Sequence, residues 1–144
     1  MHAISHDSIA CQATRSINSA ATMVETSLKC GACLPFVGVI ASVAKLYLGH
    51  GQVVLGAATA AVGLVGLGIS HIAPCSNHTK KEWNMVTRLG IEHTIHGALN
   101  VLSSLGEIIL AVSTSFIGNP LLLLIYYPND FKPLFPYGSM TSHY

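Results

Sequence analysis

Charge is what this sequence has least of. Only 9% of its 144 residues are Asp, Glu, Lys or Arg, against 51% apolar residues, whereas soluble domains carry roughly 25% charged residues. Mean hydropathy is +0.54. The shortage is also local. Between Lys29 and Lys80 the only charged residue is Lys45, and between Glu92 and Asp130 it is Glu107. Two apolar lobes with charge at their margins would expose large apolar patches in water, so the composition points to a membrane. An excess of one sign is missing as well. With a net charge of +1 and no cluster of Lys or Arg, the chain has no electrostatic footprint for nucleic acid.

Cysteine is sparse, and Cys11, Cys30, Cys33 and Cys75 are too scattered for a secreted disulfide framework. A basic start followed by an apolar run is absent from the first 27 residues, which carry Asp7, Arg15 and Glu25 instead. The expectation is therefore internal insertion, or an export route without a cleaved leader. No Ser-His-Asp order, phosphate loop or general acid–base pair emerges, so the sequence reads as non-enzymatic and without a cofactor.

What is present is helical periodicity, and the expected class is all-α. Residues 1–29 form a polar amphipathic leader. Ala10, Ala13, Ile17, Ala21, Val24 and Leu28 make its apolar stripe, and Asp7 or Ser8 is the candidate N-cap. Residues 30–48 are 19 apolar-rich residues, roughly 28 Å as a helix, close to a hydrocarbon core of roughly 30 Å. Gly49-His50-Gly51 reads as a tight turn, and residues 52–73 follow with no formal charge. Residues 30–73 are thus expected to be a transmembrane helical hairpin. Residues 74–127 combine a charged loop, a two-faced helix over about 83–116 and an apolar end, with a break at Gly118-Asn119-Pro120. Residues 128–144, rich in proline and aromatics, are expected to be extended.

Polar groups inside these apolar stretches are the candidate functional residues. Gly56, Ala60, Gly63, Gly66 and Ser70 recur at three- and four-residue steps and form a face on which another helix can approach closely. Glu92, His96, Asn100, Ser103 and Glu107 make one polar stripe, which must face protein, water or a cavity rather than lipid. Lys45 and Glu107 lie at similar depths, roughly 22 Å and 18 Å from the same side by helical rise. They are expected to pair and so remove two uncompensated charges from lipid.

Cys30 and Cys33 have CxxC spacing, and Cys75 and His78 CxxH. A hairpin over 30–73 would bring these four together as a zinc set, although redox, acylation and plain packing fit the same residues. His93 and His96 are a weaker metal pair, because they lack the four-residue spacing that puts two ligands on one helix face. Pro133 to Pro136 is a PxxP string, and Asn77-His78-Thr79 is a glycosylation sequon if that loop faces a secretory lumen.

A Ser/Thr-rich leader without a signal peptide, followed by an apolar lobe split at Gly49-His50-Gly51, resembles the inclusion membrane proteins of chlamydiae. The similarity is architectural and covers roughly residues 1–80. It implies type III secretion, a bilobed hairpin in the inclusion membrane, and both ends in the host cytosol. The second apolar stretch, 97–127, departs from the soluble domain of many members. On this reading the protein organises a membrane or docks a partner on its cytosolic face, with lipid and another copy of itself as further partners. An oligomeric pore lined by the polar stripe, and a soluble bundle with the hairpin as its core, are the alternatives.

Overall fold

The computed structural model describes residues 9–73, 76–114 and 119–141. Its elements are α1 (Ile9–Ala32), α2 (Val37–Ile72), α3 (Asn77–Ser113) and a short α4 (Leu122–Tyr126), with 3-10 turns at Asn119–Leu121 and Tyr127–Asn129. The described residues contain no strand. The all-helical expectation therefore holds; the position of the hairpin does not.

Residues 30–48 and 52–73 are not two helices joined at Gly49-His50-Gly51. α2 runs through that tripeptide without a break for 36 residues, about 54 Å at 1.5 Å per residue. Glycine in a helix costs about 1 kcal/mol against alanine, but it ends a helix only where another conformation satisfies the backbone better. No proline or side-chain cap competes here, and the His50 ring engages the Leu46 carbonyl at 2.8 Å within the helix. Gly49 is instead a contact point: a Cβ there would stand 2.9 Å from the Gly97 carbonyl oxygen and 3.0 Å from the Val101 nitrogen on α3.

The chain reverses around Pro35. Its ring and missing N–H cannot continue α1, and Phe36 takes φ 61 before α2 begins. Residues 30–32 thus close the leader helix rather than open a span. The second reversal ends α2 at Ala73, and Ser76 caps α3 by accepting the Thr79 N–H at 3.3 Å. α3 is longer at its start than the expected 83–116 and covers 37 residues, about 55 Å.

The hairpin is therefore α2 against α3, antiparallel, and small residues set its closeness. A Cβ on Gly56 would lie 2.6 Å from the Thr94 nitrogen, one on Gly63 2.6 Å from the Thr87 nitrogen, and one on Gly66 2.2 Å from the Trp83 indole. Gly90 and Gly97 answer from α3, against Ala60 and Gly49. Gly56, Gly63, Gly66 and Ser70 are buried and Ala60 half-buried.

α1 and the tail complete the other half of the molecule. Ala32, Cys33 and Leu122 form a small apolar cluster with Leu110, Tyr126 and Phe131. Residues 128–141 are not the extended tail expected from their prolines. The chain turns back at Asp130 and Phe131 (φ 50 and 58), where Phe131 N–H donates to the Tyr126 carbonyl at 3.0 Å, and then lies along α3.

Burial is inverted relative to a soluble domain. Among the described residues the buried apolar side chains are Ala32, Cys33, Ala41, Met85, Ala111 and Leu122, while Glu25, Lys29, Lys45, Glu92, His96, Asn100 and Glu107 are all buried. Outside stand Ile40, Leu55, Val65, Ile72, Leu102, Ile109, Val112 and Leu124, each more than half exposed. α1 follows the same rule against expectation. Its polar Thr14, Asn18, Glu25 and Lys29 face inward, while Ile17 and Val24 of its apolar stripe are turned out, because the groove it fills is already lined by the charges of α2 and α3.

A buried polar core between three helices and a tail

The polar core begins with two ion pairs. Lys45 Nζ on α2 lies 2.6 Å from Glu107 Oε1 on α3. Ser42 donates to the other oxygen at 2.6 Å, and the Tyr126 hydroxyl donates to Oε1 as well. Lys45 and Glu107 meet through direct antiparallel packing of α2 on α3 rather than by equal depth across three separate spans. On α1, Lys29 Nζ lies 2.9 Å from Glu25 one turn away and donates to the Lys132 carbonyl at 2.8 Å. Both ammonium groups also lie over the Tyr126 ring, at 5.7 Å for Lys29 and 5.4 Å for Lys45, within cation–π range.

A second layer of hydrogen bonds joins all three long helices to the tail. Asn100 Nδ2 donates to Gln52 at 3.0 Å, and Gln52 Nε2 donates to the Tyr137 hydroxyl at 2.9 Å. Tyr137 donates to Glu25 Oε2 at 3.1 Å. Burial, with the Glu25 carboxylate adding to it, pushes the Tyr137 phenol above its ordinary pKa, so it remains a donor throughout the usual pH range. The Tyr137 ring stacks on His96 with centroids 3.6 Å apart and planes 10° off parallel, and Phe135 contacts the same imidazole at 5.6 Å. His96 Nδ1 lies 3.9 Å from Glu25. Glu92, fully buried, accepts the Gly138 backbone N–H.

The expected stripe is thus largely one surface, with one correction. Glu92, His96, Asn100 and Glu107 are buried together, but Ser104 takes the place given to Ser103, which is only half-buried. Steps of four from Glu92 lead to 104, and Ser104 turns its hydroxyl back to the Asn100 carbonyl at 2.6 Å. Sequence reasoning missed Glu25, Lys29, Gln52, Tyr126 and Tyr137. The Glu25–Lys29 spacing of four was a visible helix pair; the tail tyrosines carried no comparable signal.

The four-residue zinc set is not assembled. Cys30 and Cys33 lie where α1 meets α2, and His78 lies at the start of α3, at the far end of a helix about 54 Å long. Cys75 falls outside the described residues. Nor do three His, Cys, Asp or Glu side chains converge anywhere among the described residues as a metal would require. The CxxC pair is unequal: Cys30 is exposed, while Cys33 is buried and donates to the Lys29 carbonyl at 3.3 Å. Burial, with Cys30 beside it, raises the Cys33 thiol above its ordinary pKa, which lowers its reactive thiolate fraction. In a chain with Cys11→Ser and Cys75→Ser, maleimide should modify Cys30 at least about tenfold faster than Cys33 at neutral pH. Equal rates would show that the α1–α2 corner opens readily.

No protein-family model, no curated protein and no solved structure matches the chain.

Proposed function

We propose that the chain is a non-enzymatic integral membrane protein, anchored by the α2–α3 hairpin, that organises a membrane or docks a protein partner at the membrane surface. The observation that carries this reading is the inverted burial: charges inside and paired, large aliphatic side chains outside. In lipid, ionisable side chains face the bundle interior and pair with one another, and helices associate through small residues rather than an apolar core. α2 and α3 are both long and apolar enough to cross a bilayer. Each exceeds a hydrocarbon core of roughly 30 Å, so the hairpin would tilt or project beyond the headgroups.

Lys80, Lys81 and Arg88 sit at the start of α3, which assigns the α2–α3 turn to the cytosolic side by the positive-inside rule. That charged first third of α3 is the surface offered to a partner. The likeness to inclusion membrane proteins implied a turn at 49–51 and both hairpin ends in the host cytosol. With the hairpin at α2 and α3 and its turn cytosolic, that orientation is reversed, and only the apolar bilobed layout is kept. A secreted effector in a host-derived membrane, inserted the other way round, is the biological setting we propose. An oligomeric pore needs the polar stripe free to line a path, yet α1 and the tail already occupy it. A soluble bundle would leave Ile40, Leu55, Val65 and Leu102 in water.

Alkaline carbonate extraction of the expressed chain, followed by flotation with lipid, tests the reading. Recovery in the floated membrane is expected. Release as a soluble monomer would overturn it.

A further inference from the structure

The buried charges do not balance. Glu25 is matched by Lys29 and Glu107 by Lys45, which leaves Glu92, fully buried on α3, without a cationic partner among the described residues. The group that meets it is the backbone of the tail. Gly138 donates its N–H to Oε1, while the next N–H, that of Ser139, closes a turn on the Pro136 carbonyl at 3.3 Å. Gly138, with φ 86, takes the left-handed conformation that brings its N–H to the carboxylate. The second carboxylate oxygen has no hydrogen-bond partner among the described residues.

We propose that residues 131–141 are a detachable strap, latched by the Glu92 carboxylate, which covers the polar core and uncovers it on release. Three observations converge on this. The strap is held by polar and aromatic contacts, through Tyr137 on His96 and Glu25, Lys132 on Lys29 and Gly138 on Glu92, rather than by a continuous apolar interface. Its Leu134 is 75% exposed and Phe131, Phe135 and Met140 are only half-buried, so its apolar contacts are partial and interrupted. Its hinge consists of Asp130 and Phe131 at positive φ, a conformation that is an outlier for a residue as bulky as phenylalanine and that relaxes when the strap swings away. What the strap covers is the face carrying Glu25, Glu92, His93, His96 and Asn100. Release would turn a closed polar core into an open groove on the side of the bundle. The inference depends on the docking of the tail alone and stands whether or not the hairpin crosses a membrane.

Amide hydrogen exchange on the full chain in detergent micelles, wild type against Glu92→Gln, tests it. Gln keeps the size of Glu92 but replaces charge-assisted hydrogen bonds, roughly twice as strong, with neutral ones. Amides of residues 132–141 should be protected in the wild type and exchange at least about tenfold faster in Glu92→Gln, while α2 amides keep their protection. That second readout separates release of the strap from general unfolding. If α2 also loses protection, Tyr137→Ala is measured in its place, with the same expected result in the tail. Tail amides unprotected in the wild type, or equally protected in wild type and in a variant whose α2 remains intact, would overturn the proposal.

Discussion

Glu107→Gln should destabilise the protein by about 3–5 kcal/mol, the usual cost of leaving one buried ion without its partner. Lys45→Met should fall at the lower end of that range. The asymmetry follows from what each survivor keeps. Without Lys45, the Glu107 carboxylate still accepts from Ser42 and Tyr126. In Glu107→Gln, the Lys45 ammonium loses its counter-charge and keeps the neutral amide oxygen and the Tyr126 ring face at 5.4 Å. Combining Lys45→Met with Glu107→Gln should recover much of the loss, because no uncompensated charge is then left buried. The reversed pair, Lys45→Glu with Glu107→Lys, should also exceed either reversal alone. Denaturant unfolding in micelles would measure all of these. A double variant no better than the worse single one would mean that the contact does not couple the two helices.

Gly90→Leu is expected to have the other large effect, at least about 3 kcal/mol, at or beyond the upper end of ordinary overpacking. A Cβ at Gly90 would stand 2.2 Å from the Ala60 nitrogen and 2.6 Å from the Gly56 carbonyl oxygen. Those are backbone atoms of α2, so no side chain can rotate away, and the helices must separate. Separation would loosen the Gly49–Gly97 and Gly63–Thr87 contacts in the same seam. Gly106→Leu is the control, since nothing lies within 4 Å of a Cβ there. Gly106→Ala and Gly68→Ala, equally open, should instead stabilise by about 0.5–1 kcal/mol, the helix preference of alanine over glycine. Equal losses in Gly90→Leu and Gly106→Leu would refute glycine packing as the basis of the hairpin.

The sequence carried the helical class, the apolar α2 and most of the inward polar stripe, because periodicity survives whatever a helix packs against. Gly56, Gly63, Gly66 and Ser70 were legible as a contact face for the same reason. Gly49-His50-Gly51 carries the local signature of a turn, but α3 approaches α2 at Gly49 and the helix runs through. The zinc set failed with the turn, since it relied on residues 30 and 75 sharing one end. The inward face of α1 was reversed by context: an apolar stripe is turned outward when the cavity available to the helix is polar. The docking of Tyr137 and Gly138 could not be read from a proline-rich tail, because it depends on where Glu25 and Glu92 come to rest.

The Lys45–Glu107 pair also constrains how the chain can be assembled. The two residues are 62 positions apart, so at 5–20 residues per second Glu107 is synthesised about 3–12 s after Lys45. In a membrane, α2 alone would hold an uncompensated lysine, at about 2.5–3.5 kcal/mol near a bilayer centre. It would also expose the polar edge of its glycine seam until α3 arrived. If the hairpin crosses a membrane, the favourable order, by whichever route the chain arrives, is therefore for α2 and α3 to partition together. The unit of insertion would then be the hairpin and not the helix.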